Sequence, residues 1–324
     1  MYTKEEFGDL IGKAVAGLPF DEEAVRLLEP VRYIMSMGGK RLRPLMTLMA
    51  CSLYSDKPLD ALMPAVGLEV FHNFTLVHDD IMDNAQVRRN FATVHEKWNI
   101  NQAILSGDVM AFIANEYIAQ SPAESMARVF RLYNRTAIEV CKGQQLDMDF
   151  EKRKIVSEDE YLRMIELKTA VLIAASLKTG ALIGGAPDRE AELMYEFGRN
   201  LGLAFQVQDD ILDVYGDSAL FGKKQGGDII SNKKTLLLIK AMELSEGETN
   251  RRLVEQLSLR EFDPDNKIAV VMGIYDELGV REKCESLANE FIEKALSYFR
   301  EINVPQARKE PLLQLAMGLT GRDR

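Results

Sequence analysis

The chain has 324 residues, 47% of them hydrophobic and 28% charged, with a formal net charge of −10. So much apolar material suits a large core, and the acidic balance argues against a general nucleic-acid binder or a partner of anionic membrane surfaces. Length alone suggests about two domains, although single helical domains reach this size.

In chain order, the N-terminal MYTKEEFGDL is acidic and carries no hydrophobic signal core. Within it, Thr3-Lys4-Glu5-Glu6 fits a capping box and predicts the first helix. Breaks are expected at Gly38-Gly39, 53–60 and 84–93, with an apolar helical run leading to Asp83. Ser157-Glu158-Asp159-Glu160 is a second capping box. The most apolar stretch, 169–186, is interrupted by Lys178 and rich in small residues, so it reads as a buried core helix and not as a membrane span. Pro187-Asp188 opens another helical stretch through Leu193, Phe197, Leu201 and Ala204 to Asp213. Further breaks fall at 216–231 and Asp263-Pro264, and Ser245-Glu246-Gly247-Glu248 fits a third capping box. There is no Asn-Gly or Asp-Gly pair and no sustained period-two alternation, so strands are not expected to organise the fold. The expectation is one all-α domain, 1–324, of roughly a dozen helices in antiparallel hairpins. Cys51, Cys141 and Cys284 are widely spaced with no CxxC, which suits buried free thiols in a reducing cytoplasm.

One short pattern occurs twice: VHDDIMD at 77–83 and VQDDILD at 207–213. On a helix, positions i and i+4 share a face, so Asp79 and Asp83 point together with Asp80 to one side. Asp209, Asp213 and Asp210 repeat that arrangement. Carboxylates this close repel by roughly a few tenths of a kcal/mol per pair when exposed, and by more when buried. A solvated acidic face is one reading. The apolar residues leading in, Phe71, Phe74, Leu76 and Val77 before the first triplet and Phe205 and Val207 before the second, favour facing carboxylate clusters across a cavity. Such hard oxygen donors suit Mg²⁺ bridging to substrate phosphates, whereas the three histidines have no zinc-ligand spacing.

Cations bracket both triplets. GGKRLRP (38–44) places Lys40, Arg41 and Arg43 after two glycines, Arg88-Arg89 follow the first triplet, and Lys223-Lys224 and Lys233-Lys234 follow the second. Lys168-Thr169 precedes an apolar run, where a bare lysine is costly. Each group alone also suits solvated charge; together they point to a diphosphate site. No GxxxxGK[ST] is present to indicate a P-loop.

In this set, GGKRLRP, DDIMD with RR after it, GQQLD (143–147), KTA (168–170), FQVQDDILD (205–213) and the following lysines, the chain resembles the trans-type isoprenyl diphosphate synthases of the polyprenyl synthetase family. The resemblance runs from Gly38 to about Thr235. It implies a single all-α isoprenoid synthase bundle around a deep central cavity, usually homodimeric. It also implies a Mg²⁺-dependent condensation of isopentenyl diphosphate with an allylic diphosphate. By the resemblance, Asp79 and Asp83 ligate two Mg²⁺ ions and Asp209 a third, with Asp80, Asp210 and Asp213 ligating or supporting. Lys40, Arg43, His72 and Arg89 match positions that hold the diphosphate of isopentenyl diphosphate. Arg88, Lys168, Lys223 and Lys233 match positions for the allylic diphosphate. Thr169 and Gln206 match positions beside the reacting carbons, and Gln144 and Asp147 line the same cavity in relatives.

Two features depart from the family pattern: Asn90 stands where many relatives have glycine, and either Lys223 or Lys224 suits the ligand position, with Lys223 favoured. Product length is implied to depend on Thr75, at i−4 from Asp79, and Phe74, at i−5. An ideal helical wheel points Phe74 away, but the family pattern makes both positions the tunnel floor. A bulky residue at i−5 with a small one at i−4 resembles enzymes making fifteen- or twenty-carbon chains. A terpene cyclase of the same fold, or a non-catalytic subunit of a heteromeric synthase, is the alternative. Cyclases usually lack the second full triplet and the GGKRLRP group, and such subunits commonly lose one triplet; here all are intact.

Overall fold

A computed structural model describes residues 2–18, 25–216 and 225–320. Helices dominate these residues: α1 (Lys4–Ala16), α2 (Val25–Ser36), α3 (Leu42–Tyr54), α4 (Leu62–Met82), α5 (Val94–Lys97), α6 (Ile100–Ile118), α7 (Ala123–Glu151), α8 (Glu158–Ile165) and α9 (Val171–Ile183). They continue as α10 (Asp188–Tyr215), α11 (Gly227–Ile230), α12 (Leu236–Leu244), α13 (Gly247–Ser258), α14 (Pro264–Glu277), α15 (Val280–Glu301) and α16 (Gln306–Thr320). A π-helical turn, Glu166–Ala170, joins α8 to α9. None of the helices among the described residues is long and apolar enough to cross a membrane.

The described residues form two compact units. One is drawn from Met1–Ala137, Leu172–Glu196 and Phe299–Leu315, the other from Ile138–Val171, Phe197–Tyr298 and Ala316–Arg324.

In the first unit, α4 packs against α3 and α6. Residues 64–71 of α4 are all buried, as expected for a helix that is apolar on every side. Gly67 lets α6 come close: a Cβ there would lie 3.0 Å from the Ala114 carbonyl. The small residues of the 169–186 stretch have a similar use. Ser176 accepts the Thr47 hydroxyl at 3.0 Å through its carbonyl. A Cβ on Gly180 would sit 2.0 Å from the Thr47 carbonyl, and one on Gly184 2.7 Å from that of Cys51. The i, i+4, i+8 spacing thus lets α9 lie backbone-to-backbone on α3. Lys178, the interruption in that stretch, pairs with Glu192.

In the second unit, Tyr161, Ile165, Leu203, Val207, Ile211, Leu236, Ile239, Val271, Ile274 and Tyr275 belong to one apolar core. That core fixes the helices which carry the second triplet.

The capping boxes at Thr3 and Ser157 form as expected. The third does not. Gly247 adopts φ +52°, the helix begins there with Glu246 as an uncapped start, and the Ser245 hydroxyl instead accepts the Asn250 amide at 2.9 Å. Cys51 and Cys284 are buried, and burial pushes both thiols up to about 12. Cys141 corrects the expectation of three buried thiols, because it lies exposed on α7. Within the expected 84–93 break, a two-residue hairpin appears. Val87–Arg88 pairs antiparallel with Phe91–Ala92, in the register Val87 to Ala92 and Arg88 to Phe91.

Candidate active site

The first triplet ends α4. Asn84 takes a left-handed φ of +51°, its N–H donates to the Ile81 carbonyl at 3.3 Å, and Ala85 N–H donates to the Asp80 carbonyl at 2.9 Å. This is a Schellman stop with asparagine in the place glycine usually takes. Asp79 is half-buried, Asp83 is exposed, and Asp80 is 1% exposed. Asp80 receives Arg88 in a fork: Nε at 2.9 Å to each carboxylate oxygen and Nη2 at 2.7 Å to Oδ1.

The hairpin brings Arg88 there. Arg89 and Asn90, at φ +52° and +66°, are its two turn residues, both left-handed as a tight type I′ turn requires. Asparagine is among the residues that tolerate this region best, so Asn90 takes this turn position at little cost. The Thr93 hydroxyl closes the hairpin base on the Ala85 carbonyl at 2.7 Å, and the Tyr33 hydroxyl donates to the Ala92 carbonyl at 2.9 Å.

Arg89 lies on the GG turn. Its guanidinium donates to the Gly38 carbonyl, and a Cβ on Gly39 would stand 2.9 Å from that guanidinium. Gly39 also has φ +124°, so both close approach and backbone conformation call for glycine. Arg43, in the first turn of α3, is pushed down to about 10 by burial, with Glu69 acting in the opposite direction. Its Nε is buried without a hydrogen-bond partner. His72 is pushed well down, first by burial and then by the charges of Arg43, Arg89 and Arg88. These four expected residues therefore share one cationic neighbourhood, in which His72 stays neutral. Lys40 is exposed at its edge of the sequence motif.

Sequence reasoning passed over Glu69. It is 3% exposed on α4, accepts Asn73 Nδ2 at 3.3 Å, and is raised by burial against the opposing charges of Arg43, Arg89 and Arg41. Its signal was a lone acid inside the apolar run GLEVF. Phe74 is half-buried, with its ring 5.5 Å from Phe71 and 4.8 Å from His78. The Thr75 hydroxyl is turned back to the His72 carbonyl at 2.8 Å.

The second triplet lies near the end of α10. Asp209 is exposed, while Asp210 is buried and accepts the Tyr161 hydroxyl on one oxygen and Gln206 Nε2, at 3.1 Å, on the other. Gln206 Oε1 in turn accepts the Thr169 hydroxyl at 3.0 Å. Burial pushes Asp210 up to about 6, against Tyr161, Lys233 and Gln206. Asp213 takes the Asp228 N–H at 2.9 Å on its carboxylate and the Gly226 N–H at 2.7 Å on its carbonyl, which ties α10 to the start of α11. Asp228 is a fourth acid here. It is raised to about 7, mainly by burial and further by Asp210, Asp213 and Asp209, with Lys233 opposing. Tyr161 and Asp228 were not foreseen; only Asp228 had a cue, as an acid directly after Gly226-Gly227 within the break that follows the second triplet. Lys223 and Lys224 lie outside the described residues.

Lys168 and Thr169 sit on the π-helical turn, a feature frequent at functional sites. Lys168 Nζ donates to Asp147 Oδ2 at 2.5 Å, and Gln144, one turn earlier on α7, is buried. Two glycines pinch this turn: a Cβ on Gly143 would lie 2.3 Å from Lys168 N, and one on Gly202 2.6 Å from Ala170 Cα. Backbone atoms cannot give way as a side-chain tip can. Gly143→Ala is therefore expected to destabilise the protein by about 3 kcal/mol and lower its melting temperature, measured by thermal denaturation. An unchanged melting temperature would show that the turn yields freely.

Among the described residues, no three His, Cys, Asp or Glu side chains gather into a metal cage. The donor set still fits magnesium. It consists of oxygen-only carboxylates offered one turn apart, and Mg²⁺ keeps waters and takes further ligands from phosphates instead of a full protein shell.

The Polyprenyl synthetase family model matches residues 24–275, well over half of the chain. The chain belongs to the polyprenyl synthetase family. Geranylgeranyl diphosphate synthase of Methanosarcina mazei is 44% identical over 220 residues, 67% of this chain and 68% of that one. Geranylfarnesyl diphosphate synthase of Natronomonas pharaonis is 38% identical over 251 residues, 72% and 74% of the two chains. A crystal structure of a geranylgeranyl pyrophosphate synthase matches with a TM-score of 0.95 and 40% identity over 100% of both chains. This family member has the all-α isoprenoid synthase fold and is an isoprenyl diphosphate synthase, a transferase making trans prenyl diphosphates.

Proposed function

We propose that this synthase joins isopentenyl diphosphate to an allylic diphosphate and stops at fifteen to twenty carbons, with both aspartate triplets serving the same reaction. The observation that carries this reading is the group of Arg43, Arg88 and Arg89 around a neutral His72, in the same unit as Asp79 and Asp83. A cationic group beside paired carboxylates suits a diphosphate with its counter-ions.

Asp79, Asp83 and Asp209 are assigned to hold magnesium, three ions with substrate bound. When bound, magnesium supplies neutralisation of diphosphate charge, an effect worth several kcal/mol or more in the transition state, on the order of what preorganised electrostatics contribute elsewhere. Asp80 is assigned to hold Arg88, since its two oxygens already take the Arg88 fork. Asp210 and Asp213 similarly orient Gln206 and the start of α11. Arg88, Lys168, Lys233 and Lys223 grip the allylic diphosphate, and Lys40, Arg43, His72 and Arg89 grip that of isopentenyl diphosphate. Breaking the allylic C1–O bond sends its electron pair to the departing diphosphate and leaves a carbocation. The alkene of isopentenyl diphosphate forms the new bond to C1, and the departed diphosphate accepts the proton that is then lost. The hydrogen bond between Thr169 and Gln206 holds both side chains for a place beside the reacting carbons, and Gln144 is assigned to the same substrate site.

Phe74 and Thr75 are assigned to the floor that limits the product. Phe74 is braced between Phe71 and His78, which gives its ring a fixed place. Phe74→Ala is expected to lengthen the product by one or more five-carbon units, read by chromatography of the prenyl alcohols after phosphatase treatment. An unchanged product removes Phe74 from the floor. We also assign a homodimer to this chain, supported by exposed Ile104, Leu105 and Phe112 on α6, Phe112 being 71% exposed. Such apolar residues at i, i+1 and i+8 share a helix face suited to a second copy. A cytoplasmic location accords with buried free Cys51 and Cys284.

A further inference from the structure

Lys267 has no accessible surface, although it stands in the first turns of α14, where the helix dipole disfavours a cation. A buried ammonium is costly unless it is well used, and an apolar residue would fill this core position more cheaply. Its Nζ is used on one short loop. It donates to Asn232 Oδ1 at 2.7 Å and approaches the Ile230 carbonyl at 3.4 Å, with the Phe262 ring 4.2 Å beneath it.

Asn232 is the pivot of that loop. It has a left-handed φ of +54°, and its Nδ2 donates to the Leu257 carbonyl at 3.1 Å. Its own carbonyl accepts Lys234 Nζ at 3.1 Å. The next residue is Lys233, whose N–H donates to the Asp228 carbonyl at 2.9 Å and whose carbonyl accepts Thr235 N–H at 2.9 Å. Lys233 opposes the upward shifts of both Asp210 and Asp228, so its charge reaches both buried acids. The loop bends sharply just before this lysine, and the bend is held by a side chain 35 positions further along the chain.

We infer that Lys267 is a positioning residue: by clamping Asn232 and the end of α11 it fixes the direction in which Lys233 is presented to the allylic diphosphate. This rests on the assignment of Lys233 proposed above. Lys267 touches no substrate, and its contribution passes through Asn232 and the Ile230 carbonyl at the end of α11.

The test is steady-state kinetics on the full-length enzyme with each substrate varied in turn. Lys267→Met keeps the length of the stem and removes the ammonium. It is expected to raise the allylic KM about tenfold, while the KM for isopentenyl diphosphate stays within about twofold. A purely structural lysine would lower the active fraction, and so kcat, with both KM values unmoved; that result overturns the inference, as does an equal rise in both. Asn232→Gly keeps the left-handed backbone but removes the acceptor, and it is expected to give the same selective rise. It supplies the answer if Lys267→Met does not fold. Lys233→Ala is run alongside. If it raises the allylic KM while Lys267→Met and Asn232→Gly do not, the inference fails and the Lys233 assignment stands. If Lys233→Ala leaves that KM unchanged, both fail.

Discussion

Asp79→Ala is expected to lower kcat/KM by about three orders of magnitude without lowering the melting temperature. The catalytic loss follows from removing a carboxylate that holds counter-charge on the leaving diphosphate, comparable to deleting a strong preorganised electrostatic contact. The small change in stability follows from position. Asp79 stands in the last turn of α4, where the negative end of the helix dipole and Asp83 one turn away disfavour its charge by about half a kcal/mol, which offsets the polar contacts the side chain makes. Steady-state assays at saturating magnesium, paired with thermal melts, measure both. A ten-fold loss or less, or a large drop in melting temperature, would mean that Asp79 is chiefly structural. Restoring part of the rate with excess magnesium would support the assigned role, because a weakened site fills by mass action.

Arg88→Ala should behave in the opposite way, losing stability and activity together. Asp80 is 1% exposed and its carboxylate is satisfied by the Arg88 guanidinium in a fork. Removing the arginine strands a buried charge, at a cost of about 3 kcal/mol. The double variant with Asp80→Asn removes the stranded charge and is expected to recover most of that stability, read by urea unfolding. It should not recover activity, because the arginine assigned to the allylic diphosphate is still missing. A double variant as unstable as Arg88→Ala would show that the fork is not what holds the hairpin. Full activity in the double variant would remove Arg88 from the site.

Much of the site was legible because its chemistry forces unusual residues into apolar company. Two aspartate triplets on apolar helices, and cations on either side of each, are expensive patterns that folding alone does not explain. Helix starts at Thr3 and Ser157 were legible for a local reason, since capping boxes depend on four neighbouring residues. The same local rule failed at Ser245, where Gly247 in a left-handed conformation moved the start by one residue. The hairpin at 87–92 escaped notice because its turn pair is Arg-Asn and not Asn-Gly. Glu69, Tyr161 and Asp228 escaped for a different reason. Their importance comes from partners distant in sequence: Glu69 from Arg43, Tyr161 from Asp210, and Asp228 from Asp213 and Lys233. The π-helical turn under Lys168 depends on the backbone approach of Gly143 and Gly202, which no periodicity reveals.

The most direct measurement incubates the purified chain with isopentenyl diphosphate and radiolabelled geranyl or farnesyl diphosphate, in magnesium and in excess chelator, and follows pyrophosphate release alongside the recovered prenyl alcohols. The account predicts one pyrophosphate released for every five carbons added, with linear products of fifteen to twenty carbons in magnesium and no extension in chelator. Extension that persists in chelator, or pyrophosphate released with only cyclic hydrocarbon formed, would contradict it.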